Sequence, residues 1–378
     1  MAGTTKKHII ITKLFDSGGS NAHFKNLVKY LGAQNVILIL ESEDQLAYLN
    51  DLSVGRLHKV KIAPWLHGYV DLNHLFTSNI KEALLILRSL LMMLFISIRH
   101  GLANVTISAV EAERHLYLFW LPLVKVTYIL HTQPISAMTP YTPATGNKRL
   151  SKKRQIITVS QSMKQIIQQN WNISEAKEKY IHVVYNCIDE SGFQHGASGN
   201  FAAGKRLITT MGHADSRKNP QMWLNVARSV TSAYPNVQFV WLGNGPLLSD
   251  FQNATRETPA IHFNGLTNNA REYLANSTLY YQPSINEPHG IAVLEAMYHS
   301  LPCVVSNVGG LPESVKNNYN GIVVDPNNID EHIKAITNLL NNDNMCDTFG
   351  KNAYSRYTEN FSYNSFKTSM DAVYHPAK

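Results

Sequence analysis

Cysteine is nearly absent: Cys187, Cys303 and Cys346 are the only three in 378 residues, odd in number and far apart. That spacing argues against a disulfide framework and a cysteine-built zinc site. Charge is sparse as well, with 16% of residues charged against 44% hydrophobic, so a large disordered segment is excluded. No low-complexity tract, no solenoid-type repeat and no Asp-X-Asp motif for a divalent cation occurs. Long apolar runs are also missing. The strongest, residues 83–98, is interrupted by Arg88 and Ser89 and falls short of the roughly 20 residues that span a bilayer. It reads as a buried helix, with a helix lying on a membrane surface as the alternative. The first residues run directly into a strand-like stretch without the apolar segment and cleavage site of a secretion signal. The expected location is therefore the cytoplasm, or peripherally the inner face of a membrane.

What is present is enough apolar material for two cores. A chain of 378 residues fits two domains of about 180 residues better than one. Its net charge of +7 and pI near 9.1 favour an anionic partner, be it a nucleotide sugar, a membrane surface or a nucleic acid. The densest basic run, Lys148, Arg149, Lys152, Lys153 and Arg154, reads as a solvated helix face before a strand and lacks the interleaved aromatics of a nucleic-acid platform. A nucleic-acid partner is not expected.

Short β-branched runs alternate with helical periodicity, the pattern of parallel sheets built from βα units. The first array comprises residues 8–12, 36–40, 105–108, 126–130, 156–160 and 183–185; the second comprises 207–211, 238–242, 261–263, 279–282, 303–306 and 321–324. Residues 189–205 between them are rich in glycine and small residues and read as a linker. The expectation is an α/β chain of two Rossmann-like lobes facing a cleft.

The chemistry concentrates in Gln282-Pro-Ser-Ile-Asn-Glu287-Pro-His-Gly290-Ile-Ala-Val-Leu-Glu295-Ala-Met. Glu287 falls in the loop after a strand, where open α/β sheets bind ligands. Gly290 opens a helix whose unpaired N–H groups, at Gly290, Ile291 and Ala292, form a phosphate site. Carboxylates beside such a site suit the hydroxyls of a sugar. Two glutamates eight apart read equally well as exposed helix acids; the surrounding Pro-Ser, Glu-Pro, Gly and Glu-Ala-Met make the combination specific.

With these residues the chain resembles the retaining glycosyltransferases of family 4, which have the GT-B fold and a two-glutamate motif. The resemblance runs over nearly the whole length. It implies that Glu287 holds the donor sugar and Glu295 the ribose. Pro302-Cys-Val-Val-Ser-Asn-Val-Gly309-Gly310 is similar to the family's second glycine loop, and Leu242-Gly243-Asn-Gly245-Pro to its glycine turn near the nucleotide. In Met211-Gly-His213-Ala-Asp-Ser-Arg217-Lys218, Lys218 matches a lysine set against the donor diphosphate. His213 stands where an arginine is usual, and Arg217 is the candidate to replace its charge. The Ser17-Gly18-Gly19 loop matches one facing the diphosphate and acceptor, and His131 matches a histidine near the transferred sugar.

The implied layout is an acceptor-side domain over residues 1–190, a nucleotide-sugar domain over 191–360, and a C-terminal helix over 361–378 crossing back to the first lobe. The implied activity is metal-independent and cofactor-free transfer of a hexose or N-acetylhexosamine, from a UDP-sugar by default, to a hydroxyl of a saccharide, a lipid-linked saccharide or a protein glycan. A non-catalytic sugar-nucleotide-binding subunit on the same fold is the alternative.

Overall fold

The β-branched runs become strands because the central ones are buried on both faces, as a parallel sheet between helical layers requires. The structure, a computed structural model, describes residues 6–14, 19–40, 42–52, 54–63, 80–109, 116–132, 149–190 and 205–375. The chain falls into two units, residues 1–185 with 367–378 and residues 186–366.

The first unit contains β1 (His8–Thr12), β2 (Val36–Leu40), β3 (Lys59–Ile62), β4 (Asn104–Ala109), β5 (Val126–Leu130), β6 (Arg154–Thr158) and β7 (Ile181–Val183). They pair in parallel in the order β3-β2-β1-β4-β5-β6-β7. The second unit contains β8 (Arg206–Met211), β9 (Val237–Leu242), β10 (Ile261–Gly265), β11 (Leu279–Gln282), β12 (Cys303–Ser306) and β13 (Gly321–Val324). Their order is β10-β9-β8-β11-β12-β13, again all parallel. In each sheet the chain starts in the middle, builds outward, then crosses over to build the other half. The reversal lies between β1 and β4 in one unit and between β8 and β11 in the other, and such reversals are where doubly wound sheets bind ligands.

Each unit has its own core. The second is aromatic at its centre: Trp223, buried, meets Phe263 edge-on at 4.8 Å, and Trp241 stacks on Phe263 at 5.6 Å. The last helix, Tyr363–Tyr374, returns to the first unit. The Tyr374 hydroxyl lies 2.7 Å from the Thr106 hydroxyl of β4, and Tyr30 donates to Asp371 at 2.9 Å.

Several expectations need correction. β3 goes unnoticed in the sequence because Lys-Val-Lys-Ile is an edge strand, exposed or half-buried throughout and not apolar. β6 and β7 begin and end two residues before the apolar runs suggest. The apolar helix, Ile80–Arg99, is not buried: Ile86, Met93 and Ile96 enter the first core, but Leu84, Leu91 and Phe95 remain nearly 60% exposed. A helix apolar on all sides can cover only the side that meets the sheet, and no described layer covers the other. Within the basic run, Arg154 is not solvated: its guanidinium donates to the carbonyls of Phe119 at 2.7 Å, Val124 at 2.6 Å and Leu121. Residues 191–204 of the linker lie outside the described residues.

Candidate functional site

Two loops meet at the reversal in the second sheet, one leaving β8 and the other leaving β11. The first carries Lys218. Asp215 caps a single 3-10 turn, Ser216–Lys218, by accepting from the amides of Arg217 at 2.9 Å and Lys218 at 3.3 Å. Asn219 follows in the left-handed region (φ 56°) and caps the helix Pro220–Ala233, with Pro220 pre-set for its first turn. These local devices fix where the lysine emerges. Gly212 leaves room for its stem, since a Cβ there would sit 3.2 Å from Lys218 Cε.

The second loop carries Glu287, which is buried and forms an ion pair through Oε2 with Lys218 Nζ. The same oxygen accepts from Gln282 Nε2 at 2.8 Å. Gln282 is oriented in turn by the Tyr280 hydroxyl, which donates to its Oε1 at 2.9 Å while accepting the Met211 amide at 3.2 Å. A polar chain thus runs from the end of β8 through β11 to the carboxylate. Among the described residues no protein donor reaches Glu287 Oε1, which leaves that oxygen to accept from a ligand hydroxyl.

The backbone of Glu287 is held as firmly. Gly310 donates its amide to the Glu287 carbonyl at 3.0 Å, and a Cβ on Gly309 (φ 53°) would lie 1.9 Å from that carbonyl oxygen. The glycine pair is therefore a cradle for the Glu287 backbone, which no side chain at position 309 could enter. The two loops are also joined to each other, because the Arg217 carbonyl accepts the amides of Ile285 at 2.8 Å and Asn286 at 3.3 Å.

Gly290 (φ 89°) caps the helix Ile291–Tyr298 without any side-chain cap, and the Val293 amide closes the first turn on the Gly290 carbonyl at 3.0 Å. The amides of Ile291 and Ala292 are thereby left at the open end. Glu295 lies along this helix. Surrounded by protein on most sides, its carboxyl is pushed up to about 7 by burial, against a smaller lowering from Arg271. Burial raises the Tyr280 phenol well above its ordinary range, and the charges of Glu295 and Glu287 add to that. The buried phenol thus lies within the fields of both glutamates.

Other candidates stand differently. Gly243 (φ 141°) packs on the neighbouring loop, where a Cβ would meet the Gly212 carbonyl oxygen at 2.1 Å; close backbone packing is reason enough for this glycine. His213 is exposed, and so is Arg217, whose guanidinium is paired with Asp215 at 2.7 Å. Gly18 lies outside the described residues, while Gly19 opens the first helix, Gly19–Leu31. His131 belongs to the first unit, just past β5. Its Nε2 lies 2.8 Å from the Ser108 hydroxyl at the end of β4, whose carbonyl accepts from Thr12 Oγ1 of β1 at 2.9 Å. His23 meets His131 edge-on at 4.6 Å, and burial, aided by that neighbour, holds His131 well below the usual imidazole range. The group is a neutral imidazole at physiological pH. Among the described residues no group of three His, Cys, Asp or Glu could hold a metal ion.

Sequence reasoning assigned no part to Gln282, Tyr280, Asp215 or His23. A signal existed for two of them: the strand Leu-Tyr-Tyr-Gln places a phenol and an amide where a buried strand ordinarily carries aliphatic residues.

Against known proteins, residues 194–356 match the family model described as Glycosyl transferases group 1. The chain is 28% identical over 162 residues to UDP-Gal:alpha-D-GlcNAc-diphosphoundecaprenol alpha-1,3-galactosyltransferase of Escherichia coli, a match covering 41% of this chain and 42% of that protein. It is 27% identical over 235 residues to an uncharacterized glycosyltransferase of Methanocaldococcus jannaschii, covering 58% and 59%. These matches span only about half the length of the curated relatives. Among solved structures, Anabaena HepE in complex with UDP superposes with a TM-score of 0.75 at 14% identity, over 96% of this chain and 98% of that one. A glycosyltransferase from Rickettsia africae gives 0.73 at 16%, over 98% and 100%. The fold is thus of the GT-B class, two parallel-sheet α/β lobes, and residues 194–356 are similar to a group 1 glycosyltransferase domain.

Proposed function

We propose, from this domain and the polar chain within it, that the protein is a metal-independent retaining glycosyltransferase of family 4. It moves a hexose or N-acetylhexosamine from a UDP-sugar to a hydroxyl acceptor in polysaccharide, glycan or glycolipid synthesis. The observation that carries the reading is the Lys218–Glu287 pair, set at the sheet reversal beside the open end of the helix Ile291–Tyr298. It brings a cation, backbone N–H donors and a fixed carboxylate to one side of one lobe. Those are the three things a sugar diphosphate presents partners for: negative phosphate oxygens, which take the first two, and hydroxyls, which take the third. The UDP complex of Anabaena HepE supports the choice of base.

Breaking a sugar–diphosphate bond separates an oxocarbenium-like sugar from an anionic leaving group, so stabilising the leaving group is the main task. Lys218 and the amides of Gly290, Ile291 and Ala292 receive the diphosphate. Glu287, anchored through Oε2, offers Oε1 to the sugar hydroxyls. Glu295 accepts from the ribose once deprotonated. In a front-face reaction the leaving phosphate takes the acceptor proton, and His131, neutral, orients the sugar by hydrogen bonding. Gly19, His213 and Arg217 complete the donor contacts in this reading.

A thermal-shift screen over nucleotides and nucleotide sugars tests the donor, because binding to the folded state raises its stability. Stabilisation by UDP and one UDP-sugar is expected. Glu287→Ala and Lys218→Ala are expected to lower turnover by about 100-fold or more while the protein remains folded. Wild-type rates in either would sink the site assignment, and a product of inverted anomeric configuration would sink retention. His213, exposed where family members have an arginine, favours one second reading, a sugar-nucleotide-binding subunit without turnover. Tight donor binding with no transfer or hydrolysis would support that instead.

A further inference from the structure

The helix Ile80–Arg99 of the first lobe has an outer face that the proposed reaction does not use. Leu84, Leu87, Leu91, Phe95 and Ile98 recur at intervals of three and four, forming a single stripe, and each is 52–59% exposed. Soluble proteins rarely leave so continuous an apolar strip in water. The only charged groups on its exposed side among the described residues are Arg88 and Arg99, and residues 83–99 contain no acid.

The surroundings carry the same sign. At the C-terminal end of the helix, the His58 and His100 rings lie 5.6 Å apart, near enough to Lys59, Lys61 and Arg99 for those charges to act on His100. The 3-10 helix Leu116–Trp120 packs against this helix and ends in the half-exposed Trp120, with the Arg149 guanidinium 4.3 Å above its ring. Across the whole lobe, residues 1–185 and 367–378, there are 23 Lys and Arg against 12 Asp and Glu; residues 186–366 hold 11 against 15. The positive charge of the protein thus resides entirely in the lobe that bears the apolar stripe.

We propose that this face docks on an anionic lipid bilayer, with the helix lying in the plane of the interface. The leucines and Phe95 enter the acyl boundary, Arg88 and Arg99 extend their guanidinium groups to the headgroups, and the Lys59–Lys61 cluster meets lipid phosphates. At 20 residues the helix has an ordinary length for a surface helix, and no described helix is long and apolar enough to cross a membrane. Self-association through the same face would set Arg88 and Arg99 of one copy against those of another with no acid among the described residues of that face to meet them. That disfavours a second copy as the occupant.

Flotation with vesicles of phosphatidylcholine, alone or with about a third phosphatidylglycerol, tests this. The protein is expected to partition onto the anionic vesicles at least ~10-fold better, and to lose most of that preference at roughly 0.5 M salt. L91E/F95E is expected to reduce binding at least ~10-fold, with its circular-dichroism melt unchanged. Should the double variant fail to fold, Phe95→Ser alone is expected to reduce binding ~3-fold. K59E/R99E is expected to abolish the anionic preference. No preference for anionic vesicles at low salt, or undiminished binding by the stripe variants, would overturn the proposal. So would a dimer that L91E/F95E converts to monomer in sedimentation, since the face would then belong to a second copy.

Discussion

The two lobes share one strand order over six strands, the first adding β7 at its edge, and solve opposite electrostatic problems at corresponding places. In the second lobe the sheet reversal is built on charge, with Lys218 paired to Glu287 and a second carboxyl, Glu295, half-buried nearby. In the first, the hydrogen-bonded group at the ends of β1, β4 and β5 is neutral: Thr12, Ser108 and an imidazole, His131, that burial keeps uncharged. The net charges run the other way, since the lobe with the neutral site has the basic surface. A sheet topology therefore settles where a site lies and says nothing about its polarity. Polarity is set by a few buried side chains, and surface charge is free to serve another purpose.

That comparison can be broken most sharply at the ion pair. Both side chains are largely buried, so Lys218→Met leaves the Glu287 carboxylate with the Gln282 amide alone; a loss of about 3–5 kcal/mol in urea unfolding is expected. K218M/E287Q should recover much of that stability while remaining inactive, separating the role in folding from the role in transfer. If the single variant unfolds like wild type, the pair is not a structural element of the lobe.

The lobes should also differ in their response to pH. Glu295 has a folded-state value raised to about 7, so its contribution is fully present below the ordinary carboxyl value and is lost as pH rises through about 7. His8 and His182, in the first lobe, are lowered by burial to about 4, so their contribution is present above the ordinary imidazole value and is lost as pH falls through about 4. The shifts at Glu295 and His8 each amount to on the order of 3 kcal/mol, and solvent screening leaves less at the more exposed His182. Glu295→Gln should therefore raise the melting temperature at pH 8 and leave it unchanged at pH 5. Hydrogen exchange corrected for intrinsic rates should show β1 and β7 opening before β8 and β11 at pH 4. Opening in the reverse order would contradict the assignment.

Smaller effects test what holds each lobe. Tyr374→Phe removes a buried hydroxyl bond to Thr106 and should destabilise the first lobe by about 1–2 kcal/mol. Asp343→Ala breaks the exposed pair with Arg206 in the second lobe and should cost under about 1 kcal/mol by thermal melting. Comparable losses from Asp343 and Lys218 would mean that burial is not what distinguishes the two ion pairs.

Much of this was legible in the sequence, for a physical reason: strands buried on both faces must be apolar, so β1, β2, β5, β11 and β12 could be read to the residue, as could the apolar edge strand β13. β3 could not, because an edge strand is permitted lysines. The helix Ile80–Arg99 was found but its environment was misjudged, since composition records how apolar a segment is and not whether anything packs on its far side. At the site, glycine and proline punctuation located Glu287 and Gly290. The partnership of Glu287 with Lys218, 69 residues earlier, depends on the crossover between β8 and β11 and leaves no local trace. Likewise Gly309 and Gly310 suggest a loop near a ligand, whereas their backbone holds Glu287 itself.

The hydrogen bonds from Ile285 and Asn286 to the Arg217 carbonyl have a dynamic consequence. Neither of the two loops can open without releasing the other, so their amides should exchange with solvent as one cooperative unit at a common rate. A ligand arriving at this end of the sheet then meets a backbone already in place. In the proposed reaction, what remains to be ordered is the lysine side chain, which would divide itself between a carboxylate it already holds and a phosphate it has yet to meet.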